Sequence, residues 1–327
     1  MKKIISIVLI TILTIACLSA CGRADKTAKT TDKADNRKIS VLTTIFPQYD
    51  FTRQIAGDQA EVTMLLKPGA ESHSYEPTPR DIKRIQNCDL FIYNGGENDV
   101  WVDDILKSMG DKKPETLRLV DCVPTVDEEL VEGMEPEQEE KDDSGHSEEQ
   151  EAEKDEHVWT SPKNAIRIMD KITDILCRKD EKNAAAYKEN SAAYKEQLQK
   201  LDTSFRNIVA DAKRRTILFG DRFPFRYFAD EYGLKYYAAF TGCSSDTEAS
   251  AATVAFLTDK VKKEHLPVVF TIELSNGRIA DSICEATGAK KMTLYSCHNV
   301  TAKQMKDGAT YLSMMKKNAD SLRQALN

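Results

Sequence analysis

Short apolar runs that read as strands alternate along this chain with stretches of helical periodicity, and that alternation restricts the fold more than any other feature. Residues 38–44 (KISVLTT) alternate as a strand does, residues 48–56 read as a helix stopped by Gly57, and residues 61–66 form a second apolar strand. After the loop KPGAESHSYEPTP, Thr78 is placed to cap a helix, with Pro79 at its first position and Asp81 three residues after the cap. That helix runs through DIKRIQ into the apolar strand at 90–93. The order β-α-β-α predicts a parallel sheet with helices on its faces. Ligands of such sheets gather at the carboxyl ends of the strands, where the loop carrying His73 begins.

The middle of the chain changes character twice. Residues 128–157 (EELVEGMEPEQEEKDDSGHSEEQEAEKDEH) are almost wholly acidic around one histidine, His146, and are expected to repel themselves and stay solvated. Residues 162–177 then carry an apolar stripe at Ile166, Met169, Ile172, Ile175 and Leu176. A second, longer stripe follows through Tyr187, Tyr194, Leu198, Leu201, Phe205, Ile208 and Val209, the pattern of a stiff helix able to join two lobes. Beyond it the alternation resumes, with strands expected at 216–219, 236–240 and 267–272 and helices through Tyr227, residues 248–264, Ile283 and Tyr311. The expected organisation is an N-terminal lobe at 38–180 with a disordered acidic loop at 128–156, a linking helix at 181–214 and a C-terminal lobe at 215–327. The fold class is α/β, two βα lobes with parallel sheets joined by a rigid helix.

The first residues, MKKIISIVLITILTIACLSACGRADKT, set the compartment. Lys2 and Lys3 precede an apolar run too short for a spanning helix, and the run ends in Leu18-Ser19-Ala20-Cys21, the order of a bacterial lipoprotein signal. Residues 1–20 are therefore read as the signal peptide, Cys21 as the lipidated residue and residues 21–37, poor in large apolar side chains, as a tether. This makes the rest extracytoplasmic and lipid-anchored to the cell membrane. The formal net charge of -7 argues against a nucleic-acid partner. Of eight cysteines, the six beyond Cys21 are widely and irregularly spaced, without the density of a disulfide scaffold.

Only five histidines are available for chemistry. His73 sits in a Pro/Gly-flanked loop after a strand, and His157 sits in DEHVWTSPKNA just before a helix that starts near Ser161-Pro162. Two imidazoles on loops at element ends suggest a site for a transition-metal ion. In these two loops, PGAESHSYEP and DEHVWTSP, the chain resembles the cluster A-I solute-binding lipoproteins of zinc and manganese ABC importers, and the resemblance extends over nearly the whole mature chain. It implies two similar lobes bridged by a rigid helix, a metal ion between them, and His73 and His157 as ligands.

The second lobe departs from the family pattern. Where relatives place a third histidine, this chain reads ILFGDRFPFRYFADEYGL, with Asp221 the nearest donor. Where relatives place a carboxylate after the last strand, it reads MTLYSCHNVT, offering Cys297 and His298, and the loop AAFTGCSSDTEAS adds Cys243 and Glu248. The simplest repair is a shell of His73, His157, His298 and Asp221; a thiolate from Cys243 or Cys297 is a competing one, and those two could instead pair as a disulfide. Three imidazoles and a carboxylate favour Zn2+, and a harder oxygen set would favour Mn2+. The expected protein is thus a monomeric, non-enzymatic carrier that delivers a divalent cation to a membrane permease driven by a cytoplasmic ATPase. A secreted zinc hydrolase would need an open coordination position and a general base, and no H-E-x-x-H is present. A surface adhesin has only compositional support.

Overall fold

In a computed structural model, residues 37–70, 75–96, 99–134, 153–244 and 248–327 are described. The first lobe is built from β1 (Ile39–Thr43), α1 (Phe46–Ala56), β2 (Ala60–Met64), α2 (Pro79–Asn87), β3 (Leu90–Tyr93), α3 (Val100–Met109) and β4 (Glu115–Arg118). Its four strands pair in the order β2-β1-β3-β4, all parallel, with Val41 opposite both Val62 and Leu90. Period-two alternation places the side chains of one strand on two faces. Val41, Leu90 and Ile92 accordingly enter the main core, while Leu42, Phe91 and Tyr93 pack beneath α2 and α3 with Ile85 and Val102. Burial on both sides explains why β3 reads as a continuous apolar run. The capping of α2 follows the sequence reading: the Thr78 hydroxyl accepts from the Asp81 amide, and the Asp81 carboxylate accepts from the Thr78 amide at 3.1 Å.

Two helices follow, α4 (Pro162–Lys179) and the 27-residue α5 (Ala184–Ala210), which at 1.5 Å per residue is about 40 Å long. The buried side of α5 touches both halves of the molecule. Near its start the Asn190 side-chain amide donates to the Ile55 carbonyl of α1, and the Tyr194 hydroxyl donates to the fully buried Asp50 at 3.1 Å. Toward its end Phe205 stacks edge-on against Phe228 at 4.9 Å.

The second lobe contains β5 (Thr216–Leu218), β6 (Arg222–Phe223), α6 (Arg226–Tyr232), β7 (Lys235–Tyr237), β8 (Phe240–Thr241), α7 (Ala251–Glu264), β9 (Val268–Thr271), α8 (Arg278–Thr287), β10 (Lys290–Thr293), α9 (Ala302–Lys306) and α10 (Tyr311–Leu326). Its strand pairs β5-β7, β6-β8 and β9-β10 are parallel, and a parallel bridge between Phe219 and Phe270 joins the first pair to the last. The single strand expected at 236–240 is two short ones, since the chain turns between Tyr237 and Phe240. Strand β4 was not expected, because ETLR carries one large apolar side chain and is only half-buried at the sheet edge. Among the described residues no helix is long and apolar enough to cross a membrane.

The acidic run departs from the expectation in part. Its centre, with His146, lies outside the described residues; of its ends, Glu128 is half-buried and 155–157 are buried, while Glu129 and Glu132 are exposed. Glu128 donates its amide to the Glu153 carbonyl, Asp127 bridges to Lys154, and Asp155, Glu156 and His157 are buried. The expectation rested on charge density; side chains with specific donors facing them override it.

Candidate metal centre

The carboxyl ends of strands from both lobes border two small cavities that share His298, each about 20 Å3. Thr44, Leu66 and Asn94, which follow β1, β2 and β3, line one; Gly242, Glu273 and Ser296, which follow β8, β9 and β10, line the other. Each has room for a single ion or water.

His157 is fully buried at the start of a single 3-10 turn, Val158–Thr160. Its amide donates to the Asp155 carboxylate at 2.8 Å, and its ring Nδ1 lies 3.3 Å from the same oxygen. Asp155 is itself held, since its carbonyl accepts from the Tyr227 hydroxyl and its amide donates to the Val126 carbonyl. A carboxylate on Nδ1 fixes the ring and its tautomer so that Nε2 carries the metal-binding lone pair. Burial favours the neutral imidazole, but Asp155, aided by Glu156 and Glu128, outweighs it and leaves the His157 pKa above its ordinary value. The same carboxylates favour a cation.

His298 is delivered by the loop after β10. Its ring stands edge-on to that of His157 at 5.6 Å between centroids and 5.1 Å from that of Trp159. Every part of this loop is tied down. The half-buried Glu273 carboxylate accepts from the Ser296 amide and hydroxyl, each at 2.7 Å, and from the His298 amide at 2.9 Å. The His298 carbonyl accepts from the Phe46 amide, and the Asn299 side chain donates to the carbonyls of Lys67 and Ala70. The Trp159 indole donates to the Ser296 carbonyl at 2.8 Å, coupling the two histidine loops directly.

Of the residues singled out from sequence, the structure therefore brings His157 and His298 together. His73 lies three positions beyond the cleft-lining Ala70 and, like Cys21, falls outside the described residues. Asp221 is engaged elsewhere: one carboxylate oxygen accepts from the Arg222 amide at 2.9 Å and the other from the Ile272 amide at 3.3 Å. Burial raises its pKa despite these bonds and one from Ser275. An aspartate just past a strand is well placed to collect neighbouring amides, and this one does. Cys297 is wholly buried, adopts φ 64°, and directs its thiol toward the Tyr295 carbonyl. The six described cysteines are thiols, so Cys243 and Cys297 form no disulfide.

Beside Asp155, a second carboxylate approaches His157, that of Glu156, which the sequence reading passed over as part of the acidic run. A carboxylate oxygen of Glu156, a ring nitrogen of His157 and the Cys243 sulfur all lie within 4.8 Å of one another. Gly96 permits this approach, because a Cβ there would come within 2.4 Å of the Glu156 Oε2. The signal available in sequence was the acidic residue immediately before His157 in DEHVW, masked by the acids around it.

The chain is similar to known zinc-uptake proteins. Residues 41–325 match the family model described as ZnuA, zinc-uptake complex component A, periplasmic. The zinc-binding lipoprotein AdcA of Streptococcus pneumoniae is 35% identical over 293 residues, 89% of this chain and 56% of the relative, so the chain spans about half the length of that protein. The high-affinity zinc uptake system protein ZnuA of Bacillus subtilis is 34% identical over 313 residues, covering 94% of this chain and 93% of the relative. The crystal structure of the Zn(II)-bound ZnuA-like domain of Streptococcus pneumoniae AdcA superposes with a TM-score of 0.72 at 32% identity, covering 89% of this chain and 99% of that one.

Proposed function

From a chain that belongs to the zinc-uptake component A family, we propose a carrier that captures one zinc ion between its two lobes and delivers it to the membrane permease of an ABC importer. The observation that carries this reading is the meeting of His157 and His298, one from each lobe, beside a cavity of ion size that Glu273 also lines. Family membership favours zinc over manganese as the cargo. It also makes the chain a transport component rather than a hydrolase.

In this reading His73 joins the shell from the loop that follows Ala70, and Asp221 braces the second lobe through its amide bonds instead of coordinating the ion. The relatives, a zinc-binding lipoprotein and a family described as periplasmic, place such chains outside the cytoplasm. For this one, lipidation of Cys21 would hold a monomeric carrier beside its permease. Competition with a chelating dye tests the site. The His73→Ala, His157→Ala and His298→Ala proteins should each lose zinc affinity by orders of magnitude, because each gives up a coordinate bond. Wild-type affinity in the His157 and His298 variants would overturn the reading.

A further inference from the structure

We propose that Cys243 is a zinc ligand, so that a thiolate takes the second-lobe position left open by Asp221; the inference rests on the carrier reading above. A tetrahedral ion with Zn–S of about 2.3 Å and Zn–N of about 2.0 Å holds its donor atoms roughly 3.5 Å apart. The Cys243 sulfur lies within 4.8 Å of a His157 nitrogen, close enough for a small adjustment of the thiol rotamer to complete the contact.

The loop that carries Cys243 is fixed on either side of it. The Gly242 amide donates to the Glu128 carboxylate at 2.9 Å, and the Ser244 carbonyl accepts from the Arg222 guanidinium at 3.1 Å. Gly242 itself lies against the imidazole, where a Cβ would stand 3.0 Å from His157 Cε1 and 3.0 Å from the Phe223 carbonyl oxygen. No other residue type lets the backbone come this near, and the approach sets the next side chain beside the ring. Two anchors and a contact glycine hold a cysteine at His157, a buried histidine whose Nδ1 is already occupied by a carboxylate.

The chemistry follows from the donor. When the ion enters, the thiol gives up its proton to solvent and the sulfur lone pair forms the Zn–S bond. A soft thiolate selects zinc over the harder Mn2+, so Cys243 would serve as the specificity residue of the site. Glu156, third in the cluster, stays as a neighbouring carboxylate that offsets the charge of the ion.

Cobalt(II) replaces zinc in such shells and reports sulfur directly through a thiolate-to-metal charge-transfer band in the near ultraviolet. The full chain loaded with one equivalent of Co2+ should show that band, and Cys243→Ser should lose it while still binding the ion through its histidines. The same variant should bind zinc at least about tenfold more weakly, with a smaller change for Mn2+, so that selectivity narrows. A wild-type protein that binds one Co2+ without the band, or a band that survives in Cys243→Ser, would overturn the thiolate assignment. In the first case a loss of affinity in Glu156→Gln would give the position to the carboxylate. Failure of the carrier reading looks different: neither metal binds, or binding survives in His157→Ala.

Discussion

At Gly242 the backbone lies so near the His157 ring that a methyl group would meet both the imidazole and the Phe223 carbonyl at 3.0 Å. Neither can yield cheaply: the ring is held by Asp155, and the carbonyl belongs to the β6 strand. Gly242→Ala should therefore push the 242–244 loop away from the site and weaken zinc binding by about tenfold to a hundredfold, the range of losses seen when an outer contact of a metal ligand is removed. Dye competition checks this, with circular dichroism showing that the variant folds. Single positions also mark where sequence was and was not informative. The sequence singles out His157 through its isolated motif and His298 as the second-lobe histidine after an apolar strand, and the structure sets their rings side by side. For Asp221, nothing in ILFGDRF distinguishes an aspartate that collects backbone amides from one that faces an ion; only the bonds to Arg222 and Ile272 show that it collects amides.

At the scale of elements, buried strands and helices with a long apolar stripe were legible from periodicity, and the half-buried edge strand β4 was not. β3, with four buried residues, announces itself as LFIY, whereas the half-buried β4 does not. The acidic segment shows the limit of composition as a guide. Glu128 reaches Gly242, Glu129 bonds the Tyr236 hydroxyl at 3.2 Å, Glu132 meets Lys260, and Asp155 orients His157, so the ends of the run belong to the folded body. The residues between them, 135–152, lie outside the described residues; their carboxylates are expected to raise the local cation concentration through a salt-screened field. Replacing 135–152 with a short Gly/Ser linker should leave tight zinc binding unchanged while abolishing weak, salt-sensitive ions, as read by titration at low and high ionic strength. Extending the replacement through Asp155 should cost the tight site as well. Loss of tight binding in the shorter replacement would show that His146 or its neighbours join the principal shell.

Across the whole molecule, the cleft is shaped by one long helix and one short set of ties. α5 packs against α1 near its start and against α6 near its end, so both lobes are referred to the same rod. Asp50 gathers α5 and α10 to α1 by accepting from the Tyr194 hydroxyl and the Tyr311 amide, and Trp159 bonds Ser296 across the cleft. Such a frame holds the donors in place before the ion arrives, which reduces the ordering cost of binding. If a single zinc ion bridges the lobes at His157 and His298, anomalous diffraction at the zinc edge from crystals of the loaded full chain should show one strong peak per chain, about 2.0–2.1 Å from a ring nitrogen of each histidine. A peak that touches only one lobe, or one that lies outside this cleft, would contradict it.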